Sequence, residues 1–251
     1  KIRRKLLNYK FFNEIMRKED LLNSYNSEFL KKAGILVKKP KKINDNNNTQ
    51  IFKTGTTTVG LVCKNAVILG ADKRASMAYF VASKTAEKLH KIQDHLYMTI
   101  AGTVADAQYL IDVLRAETTI YQLAHENKPI LIKSTGKLLS NILYQNKLFP
   151  FEVGLILGGV TEEEGPTLLD IGAYGSILPE KYCAIGSGQN FSYGVLEAKY
   201  KDNLSVKEGK EIIKSAISAS IIRDMASGNG IDIAVVKKKG PAKREFIPIK
   251  E

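Results

Sequence analysis

A Gly-Thr bond in the interior of the chain, Gly55-Thr56, could release a nucleophile that carries its own base. The bond lies where a polar tract at 38–50, rich in Lys and Asn, gives way to alternating apolar residues from Val59 onward. If the chain is cut after Gly55, the new α-amine of Thr56 can accept the proton of its own hydroxyl. Such an amine has a pKa of about 7.7–8.0, which suits a base at neutral pH. The motif by itself also fits an ordinary strand start.

A cation near this threonine would favour the chemistry, because positive charge keeps the amine deprotonated and lowers the pKa of the hydroxyl. The candidates are Lys73, Lys84 and Lys88. Asp72 ends a predicted strand, where a rigid sheet could hold it as an anchor for one of these lysines. Each lysine could equally form an exposed salt bridge that contributes little to stability.

Three glycine-containing stretches could supply further groups to the same site. Gly102 follows a predicted strand, and its N–H could stabilise an oxyanion. Gly-Ser-Gly at 186–188 lies between a predicted strand and a helix, where backbone amides can face an anion. Arg-Asp-Met-Ala-Ser-Gly at 223–228 ends a predicted helix, and glycine is common at such ends. None of these stretches is specific when taken alone.

The elements that must position these residues follow from hydrophobic periodicity. Strands are predicted at 57–63, 66–72, around 91–92, and at 97–101, 153–158, 167–171, 182–186, 231–237 and 245–249. Helices are predicted at 104–125, 130–147, 190–199 and 205–225. Turns are predicted at Lys64-Asn65, Asp94-His95, Gly165-Pro166 and Tyr174-Gly175, and Ser205 with Glu208 predicts a capping box. Paired helices between groups of strands predict an α+β fold with helical layers over sheets.

Charge divides the sequence into two parts. Residues 1–55 contain 14 Lys and Arg against 5 Asp and Glu, which leaves only +3 of the net +12 for residues 56–251. We interpret residues 1–55 as a basic, weakly structured leader with some helix-like apolar spacing, and residues 56–251 as the catalytic domain. A basic arm can also bind nucleic acid or an anionic membrane. No basic recognition helix follows in the body, so we expect neither partner.

The remaining composition argues against several classes of protein. Cys63 and Cys183 lie in apolar runs, which predicts buried reduced thiols in a cytoplasmic protein. Neither the cysteines nor the three histidines have metal-ligand spacing, and we expect no metal ion and no cofactor. The apolar runs are too short to span a membrane, and residues 1–18 lack the apolar centre of a secretory signal.

Several of these motifs, in order along the chain, resemble the catalytic β-subunits of the 20S proteasome, which are N-terminal-nucleophile hydrolases. The resemblance runs from Gly55 to the C-terminus and does not include the leader. Its motifs are Gly-Thr-Thr-Thr-Val-Gly at 55–60, Gly-Ala-Asp-Lys-Arg-Ala at 70–75, Lys88, Ile-Ala-Gly at 100–102 with Ala105-Asp106, and the stretches at 186–188 and 223–228. The segment 186–197 is similar to archaeal β-subunits and to the eukaryotic subunit of chymotrypsin-like activity.

This resemblance implies a four-layer αββα sandwich of two antiparallel sheets flanked by helices. It implies a threonine endopeptidase in which Thr56 is the nucleophile, Lys88 tunes it and Asp72 orients Lys88. Gly102 would supply the oxyanion N–H. The residues that would surround the Thr56 amine and hydroxyl are Ser187, Asp224 and Ser227.

The resemblance also implies that the enzyme frees Thr56 by cutting its own chain at Gly55-Thr56. Cleavage of protein substrates would follow large hydrophobic residues, which a pocket beside the nucleophile would accept. The residues implied for that pocket are Ala75, Ser76, Ala86, His90, Ile100, Gly102 and Val104.

The implied partners are other β-subunits in a seven-membered ring, α-subunit rings and an ATP-dependent unfoldase. Two alternatives share this family background: a non-catalytic ring subunit with an architectural role, and the simpler bacterial two-ring peptidase. The first usually lacks the threonine after glycine or the lysine at the position of Lys88, and this chain has both. The second lacks the Arg-Asp-x-x-Ser-Gly ending found at 223–228.

Overall fold

The structure, a computed structural model, describes residues 55–77, 79–238 and 240–249. The predicted leader, including its helix-like apolar spacing, lies outside the described residues except for Gly55. Within the described ranges the strands are β1 (Thr57–Cys63), β2 (Ala66–Asp72), β3 (Ala75–Met77), β4 (Phe80–Ser83), β5 (Leu89–Gln93), β6 (Leu96–Gly102), β7 (Val153–Thr161), β8 (Gly165–Ile171), β9 (Ile177–Pro179), β10 (Tyr182–Gly186), β11 (Ile231–Lys237) and β12 (Lys243–Ile247). The helices of the same ranges are α1 (Val104–Ala124), α2 (Ile132–Gln145), α3 (Gln189–Lys199) and α4 (Val206–Arg223).

The described strands form two five-stranded antiparallel sheets and a separate β3–β4 hairpin. The first sheet has the order β10-β1-β2-β11-β12, and the second has the order β5-β6-β7-β8-β9. Each face of a strand carries every second residue, so a strand between two layers must be apolar on both faces. β2 meets this requirement: Ile68 packs towards α4, while Val67 and Leu69 pack towards the second sheet.

Three apolar clusters hold the layers together. Helices α1 and α2 cover the second sheet, with residues such as Leu110 and Leu139 packed near Leu157. Helices α3 and α4 cover the first sheet, where Ile213 is fully buried in the same cluster as Ile68. The third cluster contains residues of both sheets and fills the space between them. The order is therefore helix, sheet, sheet, helix, and the predicted four-layer αββα sandwich is confirmed.

Helix ends follow the local chemistry of the sequence. The predicted capping box is confirmed: Ser205 Oγ accepts from Glu208 N at 3.2 Å, and Glu208 Oε2 accepts from Ser205 N at 2.9 Å. Helix α2 begins at Ile132, two residues after the predicted start. Glu164 explains this start, because its carboxylate accepts from Ile132 N at 2.6 Å and from Lys133 N at 3.2 Å. An acidic group at a helix N-terminus satisfies otherwise unpaired amides.

One predicted turn is wrong. The turn lies at residues 162–164, and Gly165-Pro166 is instead the start of β8. Gly165 has a φ of +69°, which glycine adopts without steric penalty, so it lets the chain leave the turn and enter the strand. Pro166 is tolerated because β9 pairs only with residues 169–171 of β8, which leaves the start of β8 without a ladder partner on that side.

The sequence does not predict three short strands, namely β3, β4 and β9, and β12 begins two residues before its predicted start.

Both cysteines are buried and free, as predicted. Burial, with a smaller effect of the Glu208 charge, raises the pKa of Cys63 to about 11, so its reactive thiolate is scarce at neutral pH. Among the helices described, none has the length and apolar content needed to cross a membrane.

Candidate active site

The site is organised by the carboxylate of Asp72, which ends β2 and is fully buried. A buried charge needs several hydrogen bonds or an opposite charge to replace its lost hydration. Asp72 has both, because its two oxygens accept from five donors. At Oδ1 the donors are Thr56 Oγ1 at 3.0 Å, Thr57 N at 2.9 Å and Lys88 Nζ at 2.6 Å. At Oδ2 the donors are Arg74 N at 3.0 Å and Gly228 N at 2.9 Å.

Lys88 is the predicted lysine that reaches this carboxylate. Its side chain is 7% exposed, and its ammonium also donates to the carbonyl oxygen of Arg74. Burial lowers the pKa of Lys88, and the negative charge of Asp72 opposes that shift. Lys73 instead forms an ion pair with Asp232 at 2.9 Å, and Lys84 is exposed. The structure therefore brings Lys88 and Thr56 to the same oxygen atom.

Thr56 lies directly before β1 and is 4% exposed. Its backbone N donates to Ser187 Oγ at 3.1 Å. Ser187 Oγ in turn donates to Asp224 Oδ2 at 2.6 Å, with the Thr56 carbonyl oxygen 3.3 Å away as a second acceptor. The nitrogen that would become the free amine is thus connected through one hydroxyl to a carboxylate.

Ser227 contacts Thr57 and not Thr56, which the resemblance implies that it would surround. Its hydroxyl contacts Thr57 Oγ1 at 2.7 Å and donates to Asp224 Oδ2 at 2.6 Å. Of the three residues expected around Thr56, Ser187 contacts it directly. Asp224 reaches Thr56 through Ser187, and Ser227 reaches the strand through Thr57.

Gly102 is the last residue of β6, and β6 pairs with β5, the strand that begins immediately after Lys88. The amide of Ile100 on β6 donates to the carbonyl oxygen of Lys88 at 3.0 Å, so β6 is fixed beside the site. Gly102 has a φ of +111°, and an added Cβ would lie 2.0 Å from the carbonyl oxygen of Glu152. The position therefore excludes any side chain.

The residues implied for a substrate pocket lie on three segments around Lys88. Ala75 and Ser76 belong to β3, Ala86 and His90 flank Lys88, and the last group extends from Ile100 to Val104. Ile100 and Ser76 are buried, whereas Val104 is 52% exposed at the start of α1. The amide of Ala86 donates to the Lys73 carbonyl at 3.0 Å, which ties two of the segments together. Burial lowers the pKa of His90, while the nearby charge of Glu87 opposes the shift.

Sequence reasoning missed the contribution of Arg74 and Gly228. Arg74 donates through Nε to Asn229 Oδ1 at 2.9 Å and through Nη1 to the Met225 carbonyl at 3.0 Å. Gly228 lies against this guanidinium, because an added Cβ would be 2.4 Å from Arg74 Cζ. Both residues fall within the motifs quoted above, but residue type and spacing give no indication that their amides bind Asp72.

The arrangement places the Thr56 hydroxyl and a buried ammonium on one carboxylate oxygen, with a hydroxyl–carboxylate pair at the Thr56 backbone nitrogen. These are the parts needed for covalent catalysis by an activated threonine. In the ranges that the structure describes, no group of three or more His, Cys, Asp or Glu side chains could hold a metal ion.

The chain is similar in sequence to proteins of one known family. The family described as "Proteasome subunit" matches residues 52–236. "Proteasome subunit beta 2" of Aeropyrum pernix is 42% identical over 199 residues, which are 79% of this chain and 89% of the relative. "Proteasome subunit beta" of Methanocaldococcus jannaschii is 47% identical over 188 residues, covering 74% and 83%. "Proteasome subunit beta 2" of Nitrosopumilus maritimus is 41% identical over 195 residues, covering 78% and 92%.

Replacing Asp72 by Asn should destabilise the protein, because the buried Lys88 ammonium would lose its counter-charge. Breaking a buried ion pair by removing one partner lowers the free energy of unfolding by about 3 kcal/mol or more. The matched control is Asp202→Asn, whose side chain is 65% exposed and pairs with the similarly exposed Lys181 at 2.8 Å. Exposed pairs contribute about 1 kcal/mol or less. Urea unfolding followed by circular dichroism measures both, and equal losses would contradict the central role of Asp72.

Proposed function

Because the chain belongs to the proteasome subunit family, we propose that it is a threonine endopeptidase subunit of the proteasome core that frees its own nucleophile by cleavage at Gly55-Thr56. One observation carries the proposal: the Thr56 hydroxyl and the Lys88 ammonium share Asp72 Oδ1, at 3.0 and 2.6 Å, in a buried site. A subunit with a purely architectural role would have no need of an ammonium held beside a hydroxyl in this way. The non-catalytic ring subunit is therefore the weaker alternative.

Self-cleavage would begin with attack of Thr56 Oγ1 on the carbonyl carbon of Gly55. The C–N bond of that peptide then breaks, an ester forms on the hydroxyl oxygen, and the threonine nitrogen gains a proton. Water hydrolyses the ester and leaves a free amine on Thr56 and a carboxylate on Gly55. The positive charge of Lys88 lies 2.6 Å from the carboxylate oxygen that accepts from the Thr56 hydroxyl, and this charge favours loss of the hydroxyl proton during the attack. Ser187 and Asp224 lie at the nitrogen that must be protonated.

Turnover of other substrates would use the freed amine. Before cleavage the Thr56 nitrogen is an amide and cannot act as a base, so the attached leader keeps the site latent. After cleavage the amine accepts the hydroxyl proton during attack, and Lys88 stabilises the negative charge that develops nearby. We assign the oxyanion N–H to Gly102, because β6 brings this residue to the edge of the site.

The assembly expected of a proteasome subunit is compatible with the proposed peptidase function. As a proteasome subunit, the chain assembles with other proteasome subunits. We propose that it forms seven-membered β-rings enclosed by α-rings, acts in the cytoplasm and receives unfolded protein from an ATP-dependent unfoldase. A latent site would then become active only inside a closed chamber. The basic leader would serve assembly and masking rather than nucleic-acid binding.

Thr56→Ala should retain the leader and hydrolyse no peptide, because both the attacking oxygen and its later role in turnover are lost. Thr58→Ala is the matched control, since Thr58 lies two residues further on, in β1, and among the described residues its hydroxyl donates only to the Ile185 carbonyl, at 3.4 Å. The control should lose its leader after Gly55. Intact-mass spectrometry of the purified proteins measures both outcomes. A mature N-terminus at any residue other than Thr56 would refute the assignment.

Lys88→Met should abolish most peptidase activity when Thr56 is exposed by a cleavable fusion, which removes any dependence on self-cleavage. Preorganised charges at a reacting centre are worth about 3 kcal/mol, so kcat should fall by about 100-fold or more. Lys84→Met, at an exposed lysine, provides the control and should retain wild-type kcat. Retention of more than about a tenth of wild-type kcat in Lys88→Met would be incompatible with the role assigned to this lysine.

The specificity pocket should favour large apolar residues before the cleaved bond. Ala75 and Ala86 are small and leave room, and the buried Ile100 supplies an apolar surface. Fluorogenic peptides that end in Tyr or Leu should therefore be cleaved faster than those that end in Arg or Glu. The variant Ile100→Glu should weaken the preference for apolar peptides and improve cleavage after Arg. An unchanged ranking in this variant would exclude Ile100 from the pocket.

A further inference from the structure

Gly55, the residue before the cleaved bond, is enclosed so tightly that no side chain fits on it. A Cβ added to Gly55 would lie 1.9 Å from the Cβ of Ala226, far below any real contact distance. The same atom would lie 3.0 Å from Ser187 Oγ and 3.1 Å from Ser76 Oγ. The two hydroxyls could yield by a few tenths of an ångström, whereas the overlap with Ala226 requires a larger movement.

Ala226 has little freedom to move away. Its amide donates to Asp224 Oδ1 at 3.2 Å. The hydroxyl of the next residue contacts the start of β1, and the amide of the residue after that donates to Asp72. On the other side, the carbonyl of Met225 accepts from Arg74 at 3.0 Å. A shift of Ala226 would therefore disturb the hydrogen bonds that hold Asp72. Overlap in a well-packed site is relieved only at the expense of such shifts.

Gly55 is also fixed in direction. Its amide donates to Ser76 Oγ at 3.1 Å, and Ser76 is 5% exposed. On the other side of Gly55, the amide of Thr56 donates to Ser187 Oγ at 3.1 Å. With hydrogen bonds on both sides of the cleaved peptide, residue 55 has no freedom to turn a side chain away from Ala226.

We propose that the Cβ of Ala226 is the specificity-determining group of the self-cleavage, and that it restricts the residue before Thr56 to glycine while Ser76 positions that residue. The inference rests on the proposed self-cleavage and adds the residue that selects its substrate. The proposed role of Ala226 distinguishes the self-cleavage by Thr56 from its cleavage of other proteins. Self-cleavage requires no side chain before Thr56, whereas cleavage of other proteins uses a large side chain near Ile100.

The test is a double-mutant cycle on the processing rate of the full-length chain, followed by intact mass. Gly55→Ala should slow loss of the leader by about tenfold or more, as expected for an overpacked site. In the Ala226→Gly background, the same change at residue 55 should slow processing by only about twofold to threefold, because the two serine contacts remain. The compared quantity is the ratio of rates with alanine and glycine at position 55 in each background.

Met225→Gly is the matched control, because it adds a glycine to the same turn without removing the Ala226 Cβ. Gly55→Ala should slow processing as much in this background as in the wild type. Equal ratios in the wild-type and Ala226→Gly backgrounds would overturn the inference, as would rescue by Met225→Gly. If the wild-type chain does not process at all, the proposed function fails first.

A second series keeps the inference testable if Ala226→Gly does not fold. In the wild-type background, processing should slow in the order Gly, Ala, Val at position 55, because larger side chains overlap Ala226 more. Processing of Gly55→Ala at the wild-type rate would contradict the proposal. Native mass spectrometry of each variant verifies that the subunit still assembles.

Discussion

The buried carboxylate of Asp72 is the constraint on which the rest of the site depends. It must collect enough donors to replace its hydration, and it takes them from four separate segments of the chain. Donors to these two oxygens come from the start of β1, the lysine before β5, the link between β2 and β3, and the turn at 225–228. Each of those segments is therefore positioned by the hydrogen-bonding requirement of one carboxylate, and the Thr56 hydroxyl is one of its five donors.

The αββα layers explain how one carboxylate can reach all of these groups. Asp72 ends β2, a central strand of the first sheet, while Lys88 immediately precedes β5 at the edge of the second sheet. The Asp72–Lys88 ion pair thus connects the two sheets at one end of the apolar layer between them. α4 delivers Asp224 and Ser227 to the same end, because the helix stops at Arg223 and the chain turns towards β11. The core supplies rigidity, and the polar groups emerge where the core ends.

Much of this architecture is predictable from local pattern. The first hairpin and the four helices follow from hydrophobic periodicity, and the start of the last helix follows from Ser205 as an N-cap. Each of these elements is long enough for the periodic pattern of apolar residues to be recognised. Strands β3, β4 and β9 have three or four residues each, too few to establish a period. Pro166 led to a wrongly predicted turn, because β8 can begin with proline only where the short neighbouring strand β9 does not reach it. That information lies in pairing, not in residue type.

The site shows the same division. Residue chemistry selects Thr56 and Asp72, but it leaves Lys73, Lys84 and Lys88 as equal candidates. Only the resemblance favours Lys88 over the other two. Residue type cannot show that Lys73 pairs with Asp232, which lies 159 residues further along the chain. Likewise, nothing in the local sequence connects Ser227 with Thr57 or Ala226 with Gly55. These contacts join parts of the chain that are distant in sequence, and each depends on the completed fold.

The long sequence separations at the site have a consequence for the order of events during synthesis. Thr56 N pairs with Ser187 across 131 residues, and Asp72 pairs with Gly228 across 156. Contacts of such high order form late, because the loops that they close carry a large entropic penalty until the sheets have docked. An emerging chain that still lacks the segment beyond α4 contains Thr56 and Lys88, but it lacks Asp224, Ser227 and Gly228. The complete set of contacts around Thr56 is therefore a property of the finished chain, because its last members follow α4 in the sequence.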